Sequence, residues 1–147
     1  MNAHDAARAI ARVIALRPGL TDCHVYAHDL EVKPTGEEYT AGAEEIQLPA
    51  VFVRVKCESL TGSSTLGRAR IEIDVESQVD DSTAAQHGAR ESEVRAAMAD
   101  QDALLAAFGV IGTVALKGRI SLGENDPETE HRAFKTPLTY KAGIEAL

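Results

Sequence analysis

Two histidines, His24 and His28, stand four residues apart with Cys23 beside the first. On a helix that spacing would put two imidazoles on one face, where they can ligate a metal. The segment Cys23–Ala27, with its β-branched and aromatic residues, reads as a strand instead, and four residues of strand set the two Cα atoms ~13 Å apart. No glutamate and third ligand follow, so these are expected to be edge or surface histidines. Gly62 and Gly67 have the outer spacing of a phosphate-binding loop, but Arg68-Ala69 stands where the ammonium and hydroxyl that meet phosphate and magnesium should be. Asp80-Asp81 suggests paired carboxylates for acid/base chemistry, yet adjacent acids before a helix are favoured by its dipole and its free N–H groups. His87, one turn further on, reads as a partly exposed helical histidine without a role. Ser63, Ser64 and Ser82 lack the glycine-flanked elbow of a nucleophile. The expectation is no catalytic residue, no metal, no cofactor and no enzymatic activity.

Composition narrows the class. The chain has 147 residues, 44% hydrophobic and 26% charged, with no Trp, three Phe and three Tyr. That is a globular balance with a core of aliphatic side chains and Ala, poor in aromatic walls for flat ligands. The formal net charge is -8, and between Asp29 and Pro49 six carboxylates (Asp29, Glu31, Glu37, Glu38, Glu44, Glu45) face Lys33 alone. A protein that holds a nucleic acid must neutralise phosphates, so this balance argues against stable DNA or RNA binding. It leaves room for a surface that DNA slides past. Cys23 and Cys57 have no paired spacing, Asp5, Arg8 and Arg12 interrupt the apolar pattern of the first residues, and no apolar run approaches the ~20 residues of a membrane span. A reducing compartment and no membrane are expected.

The elements follow from periodicity. Ala3, Ala6, Ala7, Ile10, Val13 and Ile14 repeat at helical spacing, with Asn2 as a candidate N-cap, Arg17 in the last turn and Pro18-Gly19 as the stop. Asp29–Pro49, broken by Pro34, Gly36, Gly42 and Pro49, reads as a long loop with room for a short strand. Val51, Val53, Val55 and Cys57 then alternate with Phe52, Arg54 and Lys56. After a Gly62–Gly67 turn, Ala69, Ile71, Ile73 and Val75 alternate with Arg68, Arg70, Glu72, Asp74 and Glu76 in a strand running from Arg68 to Val79. Thr83 with Gln86 fits a capping box. Val94, Ala97, Met98, Gln101, Leu104, Leu105 and Phe108 continue at helical steps, with Arg90, Glu91, Glu93 and Arg95 mostly outward, a break at Asp100 and a stop at Gly109 or Gly112. Val114–Leu122 and Phe134–Ala142, joined by a turn at Gly123–Pro127, form a second hairpin. The order contains no strand-helix-strand repetition, which predicts a single α+β domain over residues 1–147. Its sheet is expected to be mainly antiparallel, of about four to five strands, with helices on one face.

The segment Arg68-Ala-Arg-Ile-Glu-Ile-Asp-Val-Glu-Ser-Gln78, the following Asp-Asp-Ser-Thr83, the helix through Met98, the closing Arg132-Ala-Phe-Lys-Thr-Pro-Leu-Thr-Tyr140 and the leading Ala-rich helix resemble the tail terminator and tail completion proteins of long-tailed bacteriophages. The resemblance covers about two-thirds of the chain, from Val51 onward, and rests on element order; the acidic Asp29–Pro49 segment has no counterpart in it. It implies a structural virion protein of the tail-neck region, assembled in the host cytoplasm. Such a protein closes into a ring of six copies, caps the tail tube and joins it to the head connector. The implied partners are other copies of the chain, the major tail tube protein and a head-tail connector or neck protein, with DNA as passing cargo. On that reading Arg68, Arg70, Glu72, Asp74 and Glu76 are candidate interface residues, and Glu37, Glu38, Glu44 and Glu45 a candidate lumen-facing acidic loop. Another neck adaptor, or a small non-catalytic binding module on an open sheet, fits the same pattern.

Overall fold

Each alternating segment has one apolar face to bury. In a computed structural model that describes residues 3–59, 66–80, 82–123 and 134–147, those faces pack beneath three helices. The order is α1 (Ala3–Ala15), a 3-10 turn (Pro18–Leu20), β1 (His24–Ala27), β2 (Leu30–Val32), β3 (Glu38–Thr40), a second 3-10 turn (Ala43–Glu45) and β4 (Ala50–Ser59). There follow β5 (Leu66–Glu76), α2 (Ala84–Ala99), α3 (Gln101–Ile111), β6 (Val114–Leu122) and β7 (Lys135–Ala146). The described strands form one sheet in the order β3-β2-β1-β4-β5-β7-β6.

The α+β class holds, but the expected four to five antiparallel strands are replaced by a seven-stranded mixed sheet. β1 runs parallel to β4, pairing His24 with Ala50 through Ala27 with Val53, while the other neighbours are antiparallel. The difference lies in the Asp29–Pro49 segment. Its breakers do interrupt regular structure, yet β2 and β3 fit between them, each too short to show a period of two. They carry the chain away from β1, and the segment 41–49 returns it to start β4 in the same direction. Its route is marked by the Gln47 N–H donating to the Tyr26 hydroxyl at 3.0 Å and the His24 N–H donating to the Pro49 carbonyl at 2.9 Å. Parallel neighbours require such a long connection.

Helix α1 is buried on nearly all sides: Ala6, Ala7, Ala9, Ile10, Ala11 and Ile14 are inaccessible to solvent. The small alanines bring its backbone close to the sheet and to α3, while Ile10 and Ile14 join the apolar core that also holds Val51, Val53, Ile71 and Ile73. Asn2, proposed as its cap, lies outside the described residues. The expected break at Asp100 is present, because this residue ends α2 and its carboxylate accepts the Ala103 N–H at 3.2 Å to cap α3. The Thr83–Gln86 capping box forms in both directions. Gly112, not Gly109, stops α3, with a left-handed φ of 78° that only glycine adopts without strain.

β5 ends at Glu76 rather than Val79; Ser77 turns inward and Val79 is exposed. The Gly62 turn with Ser63 and Ser64, Asp81, most of the Gly123–Pro127 turn, and Arg132 with Ala133 lie outside the described residues. Ile73, inaccessible between β4 and β7, is the position where a cavity costs most. Ile73→Ala is expected to lower stability by about 2–5 kcal/mol in urea denaturation. A loss under about 1 kcal/mol would mean that the sheet centre is not closed as described.

Candidate functional site

The densest group of polar side chains lies where β5 hands over to α2. Arg90 was expected to point outward and His87 to be partly exposed; both are buried. The guanidinium donates to Asp22 Oδ2 at 2.6 Å, to Ser77 Oγ at 2.8 Å and to Ser82 Oγ at 3.1 Å. Ser77 Oγ lies 2.8 Å from His87 Nδ1, and His87 Nε2 lies 2.9 Å from Thr136 Oγ1. Arginine can only donate, so Ser77 accepts from it; the hydroxyl keeps its proton and a second lone pair, and the direction of its bond to Nδ1 follows the His87 tautomer. With Nε2–H the imidazole accepts from Ser77 and donates to Thr136; with Nδ1–H the two roles exchange. Phe134 meets the imidazole edge-on, with ring centroids 5.8 Å apart.

A serine bonded to a histidine invites a nucleophilic reading, and the geometry answers it. Ser77 is 3% exposed, and its oxygen carries a guanidinium bond that lowers its basicity. The imidazole leans on Thr136, which brings no charge to stabilise an imidazolium. The cluster is a clamp joining α2, the end of β5, the start of β7 and the Asp22 turn. Its signals in the sequence were weak, because a helical Arg and a Ser after a strand look like ordinary surface residues. Burial opposes charge on Asp22, but the Arg90 hydrogen bond and positive charge prevail and hold its carboxyl below the usual range. Beside it, burial and the Asp22 charge push the Cys23 thiol up to about 12, so this cysteine is a poor nucleophile.

The two histidines of the four-residue spacing go to different partners. His24 Nδ1 meets Glu31 Oε2 at 2.7 Å, where Lys33 also donates at 2.9 Å. His28, at the β1–β2 turn with φ 54°, accepts the Val55 N–H at 3.4 Å through Nε2 and stacks on His4 with centroids 4.2 Å apart. Among the described residues no three His, Cys, Asp or Glu side chains group to hold a metal.

The proposed interface residues Arg68, Arg70, Glu72, Asp74 and Glu76 share one face of β5, the polar face of the sheet opposite the helices. The two arginines are exposed and the three acids half-buried. β5 lies between β4 and β7, so the backbone edge here is consumed and only side chains are on offer. Glu72 is flanked by two cations, Arg70 at 3.3 Å and Lys56 at 3.4 Å.

The four glutamates of the acidic segment do not form one surface. Glu38 turns inward, accepting from Arg8 Nε at 2.9 Å, and Arg8 also donates to Asp5 at 2.8 Å. The Thr113 hydroxyl donates to Asp5 at 2.6 Å and, with Arg8, holds this carboxyl below its usual range against the effect of burial. Glu37, Glu44 and Glu45 are exposed, and Glu37 accepts the Tyr39 hydroxyl.

Fold and side chains together define an α+β domain whose buried polar groups serve its architecture and whose unspent features lie on its surface. No protein-family model and no curated protein matches the chain.

The histidines set a pH dependence. Burial lowers the pKa of His87 and of His28; Arg90 adds to it at His87 against Glu91, and His4 and Arg54 add to it at His28 against Asp29. A folded-state value below the unfolded 6.5 means that the stabilisation is full above about 6.5 and is lost as pH falls through the folded value. Urea midpoints between about pH 8 and about pH 5 should therefore decline, and His87→Gln should flatten part of the decline. An unchanged slope in that variant would show His87 to titrate as it does in the unfolded chain.

Proposed function

We propose that the chain is a structural assembly protein of the phage tail-terminator kind. It would form a ring, hexameric as in that family, which caps the tail tube, stops its polymerisation and joins it to the head-neck connector. The observation that carries the reading is α3. After Asp102 this helix has no charged residue, and its outer side leaves Leu105 45% and Val110 64% exposed, with Ala106 and Gly109 beside them. A helix apolar on both sides is normally buried on both. Leu105, expected to join the core, is instead available to a partner. The sheet supports the same reading: among the described strands β3 and β6 are edges, and a heterologous contact through two different surfaces closes into a ring when its rotation allows.

The test is the assembly state of the full chain alone and with its cognate tail tube protein, by size-exclusion chromatography with light scattering and negative-stain imaging. Rings of six copies and tubes of limited length are expected. In Leu105→Lys with Val110→Lys, ring formation should fall by at least about tenfold while the circular dichroism is retained. A protein that neither forms rings nor binds the tube protein would overturn the reading, and binding to a connector alone would make it a neck adaptor.

A further inference from the structure

The polar face of the sheet has its charges sorted by sign along the strands. β4, β5 and β7 are in register, so side chains on this face fall into rows: Lys56, Arg70 and Lys141, then Arg54, Glu72 and Thr139, then Phe52, Asp74 and Pro137. Three cations opposite one another on adjacent strands repel, an arrangement that costs stability in an isolated sheet. Glu72 relieves Lys56 and Arg70, and the register sets Glu58 of β4 opposite Arg68, but among the described residues no carboxylate pairs with Arg54 or Lys141. Beyond Glu72 the sign reverses to Asp74 and Glu76, with Lys135 opposite Glu76 offsetting one charge. The acidic segment belongs to this second end, since it passes over Tyr26, which stacks on Phe52 with centroids 5.4 Å apart.

We propose that this face takes a second copy of the chain, face to face about a two-fold axis that crosses the strands near Glu72. Rotation about that axis reverses the strand direction, so Arg68 and Arg70 of each copy lie over Glu76 and Asp74 of the other. β1 stops at Ala27 beside Val53, leaving no β1 neighbour along β4 beyond that point, and the rotation turns the end of one copy that carries the acidic segment toward the Lys56 end of its mate. The same chain thus carries both the cationic half and the anionic half, in an order that reverses under the two-fold. This favours a second copy over a nucleic acid, which would meet Asp74, Glu76 and the acidic segment as repulsion.

The strength can be bounded. Three strands about 4.8 Å apart and about eight residues at about 3.4 Å each present roughly 400 Å² per copy, against about 800 Å² per partner in a standard interface. The pair is therefore weak, fast and salt-sensitive. It stands apart from the virion reading, because a ring closed through α3 and the sheet edges leaves this face free.

The experiment measures the mass of the full chain by sedimentation at low and high salt. The wild type should pair reversibly, with a dissociation constant rising at least about tenfold from about 50 mM to about 500 mM salt. R68E/R70E makes the β5 row acidic throughout, and D74K/E76K makes it basic on both sides of Glu72. Each should fail to pair with itself, the two mixed should pair with each other, and the fourfold variant should pair again. R70Q/K141Q, checked by circular dichroism, gives the same weakening without reversed charge if the reversals disturb folding. Absence of pairing in the wild type at low salt overturns the proposal, as does pairing that all variants retain. Salt-sensitive binding of duplex DNA that R68E/R70E removes, with no self-association, would make the face a nucleic-acid surface and also overturn it.

Discussion

The burial of α1 is the constraint on which the rest of the molecule depends. Its alanines let the helix sit between the sheet and α3, and its few polar side chains then reach in different directions. Asp5 holds Thr113 just before β6, Arg8 holds Glu38 on β3 and the Arg12 guanidinium rests against Gly36; just past the helix, Arg17 donates to Glu93 of α2 at 2.9 Å. Each bond is half-buried and modest alone. Together they index the periphery to the helix, so that a sheet with one covered face acquires a defined border.

That border explains where the chemistry of the chain has gone. The residues with the greatest catalytic promise by type, His87 with Ser77 and Arg90, are consumed in joining α2 to β5 and β7. A buried network is favourable only when its members are satisfied, and among the described residues no buried side-chain nitrogen or oxygen lacks a partner. The cluster is buried at Ser77, His87 and Arg90 and reaches solvent at Asp22. What remains exposed is the outer side of α3, the two edges of the sheet among the described strands and the polar face of the sheet.

The acidity of the chain takes on structure in this light. Six carboxylates between Asp29 and Pro49 looked like one repelling loop, yet Glu31 and Glu38 are tied to cations and only part of the excess faces solvent. The cations on the polar face are the counterpart. A net charge of -8 is therefore the sum of separated regions and not a uniform field.

Much of this was legible from pattern. The helical repeat of Ala6, Ile10 and Ile14, the alternation of Val51–Val55 and Ala69–Val75, the Thr83 cap and the break at Asp100 are local signals, because period and capping depend on neighbours along the chain. The outward row of β5, with its change of sign after Arg70, was also present in the sequence. Three-residue strands such as β2 and β3 carry too little period to be read, and the parallel pairing of β1 with β4 depends on where a long connection returns. The burial of Arg90 and His87 depends on partners at Asp22, Ser77 and Thr136, distant in sequence and near only after folding. The sequence alone determined which faces are apolar and where elements begin and end, since those are properties of adjacent residues. Only the tertiary structure decided which charges find partners and which are left over, because pairing is a matter of distance in space.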